Sequence, residues 1–316
     1  MAAPAMLERQ QVRLGGYAPA DSTHGRALDR IAARLRAGLG DGTTVEIDYN
    51  ILDRGRPVQE LLDDVETGRT TLCFFSTSYL AERVPELGII DLPYVFRSLG
   101  DAHAALDGAL GIALTKHTRR ATGLVPLGYW DNGFRHLSNR TRDVRSPVDC
   151  RGLRVRLQPN WAHEQFFRSL GAEPVCTDLR EGIAMLHSGE LDAQENPFGN
   201  FVAYGVHSVH PHITLTGHVY GARGVFASAV QLRNWSEEAR GVLDEAVIAA
   251  IAQQRAEAAR EERDLRAWLA GRGSRILELT ENEHAAFRAA AGPVLESARK
   301  RFDTGLWALL EGRPAR

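Results

Sequence analysis

The chain has 316 residues, of which 44% are hydrophobic and 25% are charged, and its formal net charge at pH 7 is -2. This is the composition of a globular protein, and the length suits two domains of about 150 residues each. A nearly neutral chain without a basic block excludes nucleic acid as an expected partner, and no apolar run approaches the roughly 20 residues that span a bilayer.

The first quarter of the chain predicts the order strand, helix, strand, helix, strand. The five elements fall at residues 12–19, 24–40, 43–50, 57–68 and 70–76. Ser22 and its neighbours Asp21 and Thr23 are typical capping residues before the first helix, and Gly68 suits a left-handed end to the second helix.

The same order returns later in the chain. Its five elements fall at residues 152–159, 161–171, 172–177, 178–189 and 190–197. A helix between two strands of one sheet implies a parallel pair, so each half should form an open, doubly wound α/β sheet. Ligands bind beyond the carboxyl ends of the strands in such sheets. We therefore expect two α/β lobes that face each other across a ligand cleft.

Two further helices follow the repeats. The segment from Ser236 to about Ala270 is compatible with one helix, which at 1.5 Å per residue would be on the order of 50 Å long. Such a helix is longer than one small domain, and we expect it to pass from one lobe to the other. A later helix begins with the capping box Thr280 to Glu283 and is predicted to run to about Phe302.

Six short motifs occur in a fixed order along the chain: LPYVF, WDNGFRHLSN, GLRVR, LGAEPV, LHSGELDAQENP and LTGHVY. With these motifs the chain, from about Gln11 to Lys300, resembles the substrate-binding proteins of TRAP transporters, DctP type. The resemblance implies two α/β lobes joined by hinge strands and a long bridging helix. These lobes close over an organic acid, which is then handed to a membrane permease.

The resemblance also implies boundaries and a location. We expect lobe I to contain residues 1–132 with 222–261, and lobe II to contain residues 133–221 with 262–316. We expect a periplasmic monomer whose leader sequence is not present in this chain, with no cofactor. Its expected partners are a small organic acid and the TRAP permease subunits.

Two arginines are candidate carboxylate ligands. Strand alternation puts Arg154 and Arg156 on one face, and Arg156 is nearer the carboxyl end, where ligands approach. A guanidinium pairs with a carboxylate through two parallel hydrogen bonds, which fixes the orientation of the acid. By the resemblance, Arg156 corresponds to the clamping arginine of the family, and Arg135 corresponds to a second arginine of the site.

The strand that ends before Pro197 supplies two further candidates. By the resemblance, Asn196 would donate to the ligand or brace Arg156. Glu195 would orient an arginine or accept a hydrogen bond from a ligand hydroxyl. The alternative for Asn196 is ordinary turn chemistry, which is common for asparagine before proline.

The remaining candidates contact other parts of the ligand. Ser76 and Thr77, in the loop after a predicted strand, and His24, at the start of the first helix, are candidates for its far end. Trp130 and Trp161 stand near predicted strand ends and are candidate walls of the cleft, with core packing as the alternative. If they line the cleft, an aromatic or bulky acid is favoured over a small dicarboxylate.

Other functions stay open at this point. Four histidines, His207, His210, His212 and His218, lie within twelve residues and suggest a metal-binding protein, although no acidic or cysteine partner recurs at ligand spacing. The chain contains no nucleophile elbow, phosphate loop, HExxH or dinucleotide fingerprint, and we expect no enzyme. A ligand-sensing module of the same fold is a further alternative.

Overall fold

Both predicted repeats form strands and helices in their predicted order. This computed structural model describes residues 11–40 and 42–312. Its strands are β1 (Gln11–Gly15), β2 (Thr44–Asp48), β3 (Leu72–Ser76), β4 (Leu124–Asn139), β5 (Arg154–Leu157), β6 (Glu173–Cys176), β7 (Ala193–Asn196), β8 (His212–Ser228) and β9 (Arg275–Leu277).

The helices fill the intervals between the strands. They are α1 (Thr23–Leu39), α2 (Glu60–Glu66), α3 (Thr77–Leu80), α4 (Leu99–Leu106), α5 (Ala109–Ala121), α6 (Trp161–Ser169), α7 (Leu179–Ser188), α8 (Phe198–Ala203), α9 (Ala229–Leu232), α10 (Glu237–Gly271), α11 (Glu281–Ala290), α12 (Gly292–Arg301) and α13 (Thr304–Glu311). No helix of the described residues is both long enough and apolar enough to cross a membrane.

The chain divides into two compact units. Among the described residues, the first contains those up to Phe75 together with Thr118–Trp130 and Arg223–Glu257, and the second contains Ser76–His117, Asp131–Ala222 and those from Ala258 onward. Strands β4 and β8 and helix α10 each contribute residues to both units.

In the first unit, strand β1 pairs in parallel with β2 and with β3. Helix α1 connects β1 to β2 and begins where predicted, because the Ser22 hydroxyl accepts the backbone N–H of Gly25. Its Leu28, Ile31 and Leu35 are buried on one face, as the helical spacing of these residues predicts. The predicted α/β architecture of this repeat is confirmed.

In the second unit, strand β5 pairs in parallel with β6 and with β7, and β7 pairs antiparallel with β4. Helix α7 begins after the capping residue Asp178 and ends at Gly189, whose φ of 87° is the left-handed conformation that favours glycine. The main hydrophobic core of this unit packs Val155 and Leu157 against Phe166 and Phe167.

The two helices predicted near the end of the chain have different outcomes. The long helix is confirmed as the 35-residue α10. The capping box at Thr280 and Glu283 is also confirmed. The prediction of one helix from there to Phe302 is wrong, because the chain breaks into α11 and α12 at Gly292 and Pro293. Proline lacks the N–H that would continue the hydrogen-bond ladder, and it starts a new helix instead.

The compact units differ from the predicted lobe boundaries mainly at residues 76–117, and by a few residues at 131–132, 222 and 258–261. We predicted the segment 76–117 in lobe I, and it belongs to the second unit. Its side chains bond residues of that unit: Ser78 donates to Asp91, which also accepts from Asn160 at 2.8 Å. The bond from Asn160 to Asp91 joins segments 69 positions apart in sequence, and strand and helix periodicity does not predict it.

Candidate functional site

The strands β4, β7 and β5 of the second unit position most of the predicted site residues. In their register Gln194 pairs with Arg156 on one side and with Ser138 on the other, and Glu195 pairs with Leu137. Since successive side chains point to opposite faces of a sheet, Arg156 and Gln194 share one face and Glu195 lies on the other. The site residues of β7 are therefore divided between two faces.

Arg156 is buried, with 3% of its surface exposed, and its hydrogen bonds are to uncharged groups. Its Nη2 donates to the hydroxyl of Tyr79 at 2.8 Å and to the carbonyl of Thr177 at 3.2 Å, and its Nε donates to the Thr177 hydroxyl at 3.3 Å. Gly182 of helix α7 leaves room for this side chain, because a Cβ there would lie 2.5 Å from the Arg156 Nε.

Within residues 11–40 and 42–312, the Arg156 Nη1 makes no hydrogen bond and no carboxylate forms an ion pair with the side chain. A buried charge without a counter-charge is costly. Arg156 is therefore a buried cation that lacks a counter-charge among the described residues.

Arg135 is buried as well, but it has a permanent acidic partner. Its Nη2 donates to the Glu195 Oε1 at 2.8 Å and to the Glu195 carbonyl at 2.6 Å, and its Nε donates to the Glu195 Oε2. The His218 Nε2 lies 3.3 Å from the same carboxylate. Of the two roles predicted for Glu195, the structure has the one in which it orients an arginine.

This group of buried charges explains two pKa shifts. Burial acts to raise the pKa of Glu195, but the charge of Arg135, with the His218 hydrogen bond, holds the pKa well below its ordinary value. Burial lowers the pKa of His218 despite the nearby carboxylate. Glu195 is therefore ionised and neutralises Arg135, so that the two residues form one buried ion pair.

The predicted contact between Asn196 and Arg156 is not formed. The Asn196 Nδ2 donates to the Gln194 Oε1 at 2.9 Å. The Gln194 Nε2 is buried and makes no hydrogen bond to a described residue, and the same is true of the Oε1 of Gln158. One donor and one acceptor are thus left unpaired in the segments that surround Arg156.

Ser76 and Thr77, which we predicted in a loop, lie in the second unit, where Ser76 ends β3 and Thr77 begins α3. The Ser76 hydroxyl accepts from the Gln158 Nε2 at 3.4 Å, and the Thr77 hydroxyl donates to the Ala222 carbonyl at 3.2 Å. Tyr79, two residues further along, is the partner of Arg156. Sequence reasoning did not select Tyr79 or Gln158 for the site, although Gln158 follows Arg156 by two residues and strand alternation could have indicated it.

The first unit holds a separate group of aromatic side chains. The rings of His24 and Trp130 lie 5.2 Å and 5.6 Å from the ring of Phe74. The guanidinium of Arg223 lies over the ring of Tyr17 at 4.6 Å, in cation–π geometry. The structure brings the predicted His24 and Trp130 together, and Arg223 is a cationic member of this group that the sequence did not indicate.

Trp161 faces a different cavity from the one that we predicted. It lines a cavity of about 310 Å³ in the second unit together with Cys176 and Phe302, and the guanidinium of Arg301 lies 5.1 Å from its ring centre. Arg156 is not part of this lining. Trp161 is the first residue of helix α6 and also packs against the hydrophobic core of the second unit.

The four histidines of the predicted metal cluster bond separate partners. His207 contacts the Phe201 carbonyl at 3.2 Å, His210 contacts the Ser138 hydroxyl at 3.1 Å, and His212 contacts Asp143 at 2.7 Å. His218 contacts Thr216 and Glu195. Among the described residues, no group of three or more His, Cys, Asp or Glu side chains is placed to hold a metal ion.

Comparison with known proteins gives the class of this protein. Residues 15–301 match the model of the family described as bacterial extracellular solute-binding protein, family 7, or DctP. The chain belongs to this family. The predicted recognition and the two-lobe α/β fold class are confirmed.

Individual relatives agree with this assignment. A solute-binding protein of Verminephrobacter eiseniae is 33% identical over 200 residues, which is 63% of this chain and 59% of that protein. Two further curated relatives are covered over 43% and 49% of their length, so the chain spans about half the length of the curated relatives it matches.

Solved structures match over nearly their whole length. The sugar acid binding protein of Advenella mimigardefordensis, in complex with galactonate, is 25% identical, with a TM-score of 0.91 over 96% of this chain and 98% of that one. A TRAP periplasmic solute-binding protein of Polaromonas, bound to D-erythronate, is 27% identical, with a TM-score of 0.90 over 97% of this chain and 100% of that one.

Proposed function

We propose that this protein is a periplasmic solute-binding protein that captures an organic carboxylate through Arg156 and delivers it to a TRAP-type permease. The observation that carries the proposal is the contrast between two buried arginines. Arg135 is neutralised by Glu195, whereas Arg156 has no acidic partner among the described residues. A ligand carboxylate would supply the missing charge, so the protein binds and transfers its ligand and needs no catalytic group.

The ligand that fits best is a hydroxylated acid. The unpaired Gln158 Oε1 and Gln194 Nε2 need a donor and an acceptor, and a hydroxyl group provides both. Aromatic or purely aliphatic acids would leave these amides unpaired, at a cost of about 1–3 kcal/mol each. The galactonate and D-erythronate bound by two structural relatives belong to the hydroxylated class.

Capture proceeds by closure of the two units over the bound acid. Three continuous elements, β4, β8 and α10, contribute residues to both units and can serve as the hinge. Contacts that form only in the closed state shift the population toward it, and the permease recognises that state. In this proposal the site residues of the first unit, His24 and Trp130 with Arg223, contact the part of the acid remote from its carboxylate.

Calorimetry with galactonate and D-erythronate tests the assignment of Arg156. Removal of an arginine from a desolvated charge pair costs about 2–5 kcal/mol, so R156A should weaken binding by about 30-fold to several thousand-fold. The matched control is R154A, two residues earlier on the same strand, because the half-exposed Arg154 bonds Asp192 instead. Unchanged affinity of a folded R156A variant would reject the proposal.

A further inference from the structure

A buried carboxyl group that belongs to none of the predicted elements lies beside the site. Asp91 has no exposed surface. Its Oδ1 accepts the hydroxyl of Ser78 at 2.7 Å, and its Oδ2 accepts the side-chain amide of Asn160 at 2.8 Å. Each oxygen thus holds a different segment of the chain, and the two segments are about eighty residues apart.

The first of these segments contains Tyr79, the hydrogen-bond partner of Arg156. Ser78 lies in the one-turn helix α3, and its neighbour Tyr79 accepts the hydrogen bond from the Arg156 Nη2. If Ser78 moved, the tyrosine hydroxyl would move with it, because a single helical turn leaves little freedom between adjacent residues.

The second segment directly follows β5, the strand that contains Arg156. Asn160 caps helix α6 by accepting the N–H groups of Ala162 and His163. Two residues earlier, Gln158 donates to Ser76, so this segment is also bonded to the end of β3, directly before α3. Asp91, which bonds both Ser78 and Asn160, forms a second link between these two segments.

We propose that Asp91 is a positioning residue of the carboxylate site, which holds the segments of Tyr79 and Gln158 in place around Arg156. This inference rests on the proposed function of Arg156 as the ligand of the acid. Asp91 itself touches neither the ligand nor the arginine. It acts through Ser78 and Asn160, and loss of either bond frees one side of the site.

The surroundings of Asp91 predict a dependence on pH. Burial raises the pKa of Asp91 to about 7, against the opposing hydrogen bonds from Ser78 and Asn160 and the charge of Arg135. Glu195 adds to the rise, and the His163 Nε2 lies 3.8 Å away. Burial lowers the pKa of His163 to about 3, so this ring stays neutral near pH 7. Only the ionised form of Asp91 accepts both hydrogen bonds, because a protonated oxygen must donate.

The first test compares binding of galactonate to wild type, D91A and D91N. In D91A both acceptor oxygens are lost, so the Ser78 hydroxyl and the Asn160 amide lose their partner and affinity should fall at least tenfold. In D91N the new amide can accept from Asn160 and donate to the Ser78 hydroxyl, which also accepts, so affinity should stay within a few-fold of wild type. Wild-type affinity in D91A, or an equal loss in D91A and D91N, would overturn the proposal.

The second test needs no ligand. The Arg156 Nε–H resonance, assigned by its loss in R156A, should shift with a midpoint near pH 7 in wild type and should not titrate in D91N. A resonance that titrates in both proteins, or in neither, contradicts the proposal. If D91A does not fold, S78A removes one of the two bonds and should weaken binding to a smaller extent. Failure of R156A to weaken binding would instead reject the proposed function and leave the NMR result to decide the role of Asp91.

Discussion

The Nη2 of Arg156 donates a 2.8 Å hydrogen bond to the hydroxyl of Tyr79, a residue 77 positions earlier in the chain. Both side chains are buried. The bond holds the guanidinium plane in one orientation before any ligand arrives, which reduces the conformational freedom that binding would otherwise remove.

Replacement of Tyr79 by phenylalanine should weaken binding without loss of the fold. Y79F removes one hydrogen bond of about 0.5–1.5 kcal/mol, so the affinity for galactonate should fall by roughly threefold to tenfold. Calorimetry measures the change. The control is Y204F, which removes a hydroxyl bonded to Asn200 in the same unit and should leave affinity unchanged. Equal or tighter binding by Y79F would show that this bond does not prepare the arginine.

Gly182 offers a test of the space around the same arginine. Glycine to alanine inside a helix usually stabilises by about 0.5–1 kcal/mol. In G182A, however, the new Cβ would lie 2.5 Å from both the Arg156 Nε and the Thr177 Oγ1. We expect G182A to gain no stability and to lose affinity for galactonate, as measured by denaturant unfolding and calorimetry.

The matched control for Gly182 is Gly241 in helix α10, where a Cβ would meet nothing within 4 Å. G241A should gain the usual helix stability and bind normally. If G182A behaves like G241A in both measurements, the close approach of Arg156 to helix α7 is not what restricts this position.

The buried pair of Arg135 and Glu195 should be important for stability. E195Q removes the charge that neutralises Arg135, and loss of one partner of a buried ion pair costs about 3–5 kcal/mol. Urea unfolding at pH 7 should show this loss. The half-exposed pair of Arg13 and Glu46 gives the comparison, because E46Q should cost less than about 1 kcal/mol. Similar losses in the two variants would argue against the burial of the first pair.

Glu262 predicts a stability change with pH. Burial raises its pKa to about 8, although the backbone N–H of Phe198 donates to the carboxyl at 3.3 Å. The unfolded chain ionises near its ordinary pKa of 4.5. Between pH 4.5 and pH 8, Glu262 therefore holds its proton in the folded protein and not in the unfolded chain. The contribution of this group to the free energy of unfolding is fully present below pH 4.5 and is lost as pH rises to 8.

E262Q imitates the protonated form and should remove this loss. Thermal unfolding should show the variant to be more stable than wild type at pH 9, by on the order of 1–2 kcal/mol, and not at pH 4.5. The neighbouring substitution E261Q is the control for a simple change in net charge. An equal gain from E261Q, or a gain that does not depend on pH, would contradict the assignment to Glu262.

The sequence was a good guide where the determining interactions are local. Ser22 caps α1, Gly189 ends α7 in the left-handed conformation, and Thr280 forms its capping box, all as predicted. Each of these depends on residues within one turn of helix. The family motifs extended the prediction to the fold class, because their order follows the order of the elements.

The hydrogen-bond partners of the site residues could not be predicted from local sequence. Arg135 and Arg156 have similar sequence settings, and only the register of β4, β7 and β5 decides that Glu195 meets the first of them. The register places Asn196 on the face of Arg156, but its amide donates to Gln194 instead of contacting the arginine. Residues 76–117 join the second unit through bonds between distant segments, such as that of Asn160 to Asp91, which periodicity does not reveal.

The division of β7 between two faces makes the binding chemistry depend on the length of the preceding turn. One residue deleted between Gly189 and Ala193 would shift the strand by one position and exchange its faces. Glu195 would then take the position of Gln194 opposite Arg156, and its carboxylate would pair with the guanidinium in competition with the proposed ligand. The deletion would also leave Arg135 without its counter-charge. A change in the length of this turn would thus prevent binding of the proposed ligand and lower the stability of the protein, although every side chain of the site would still be present.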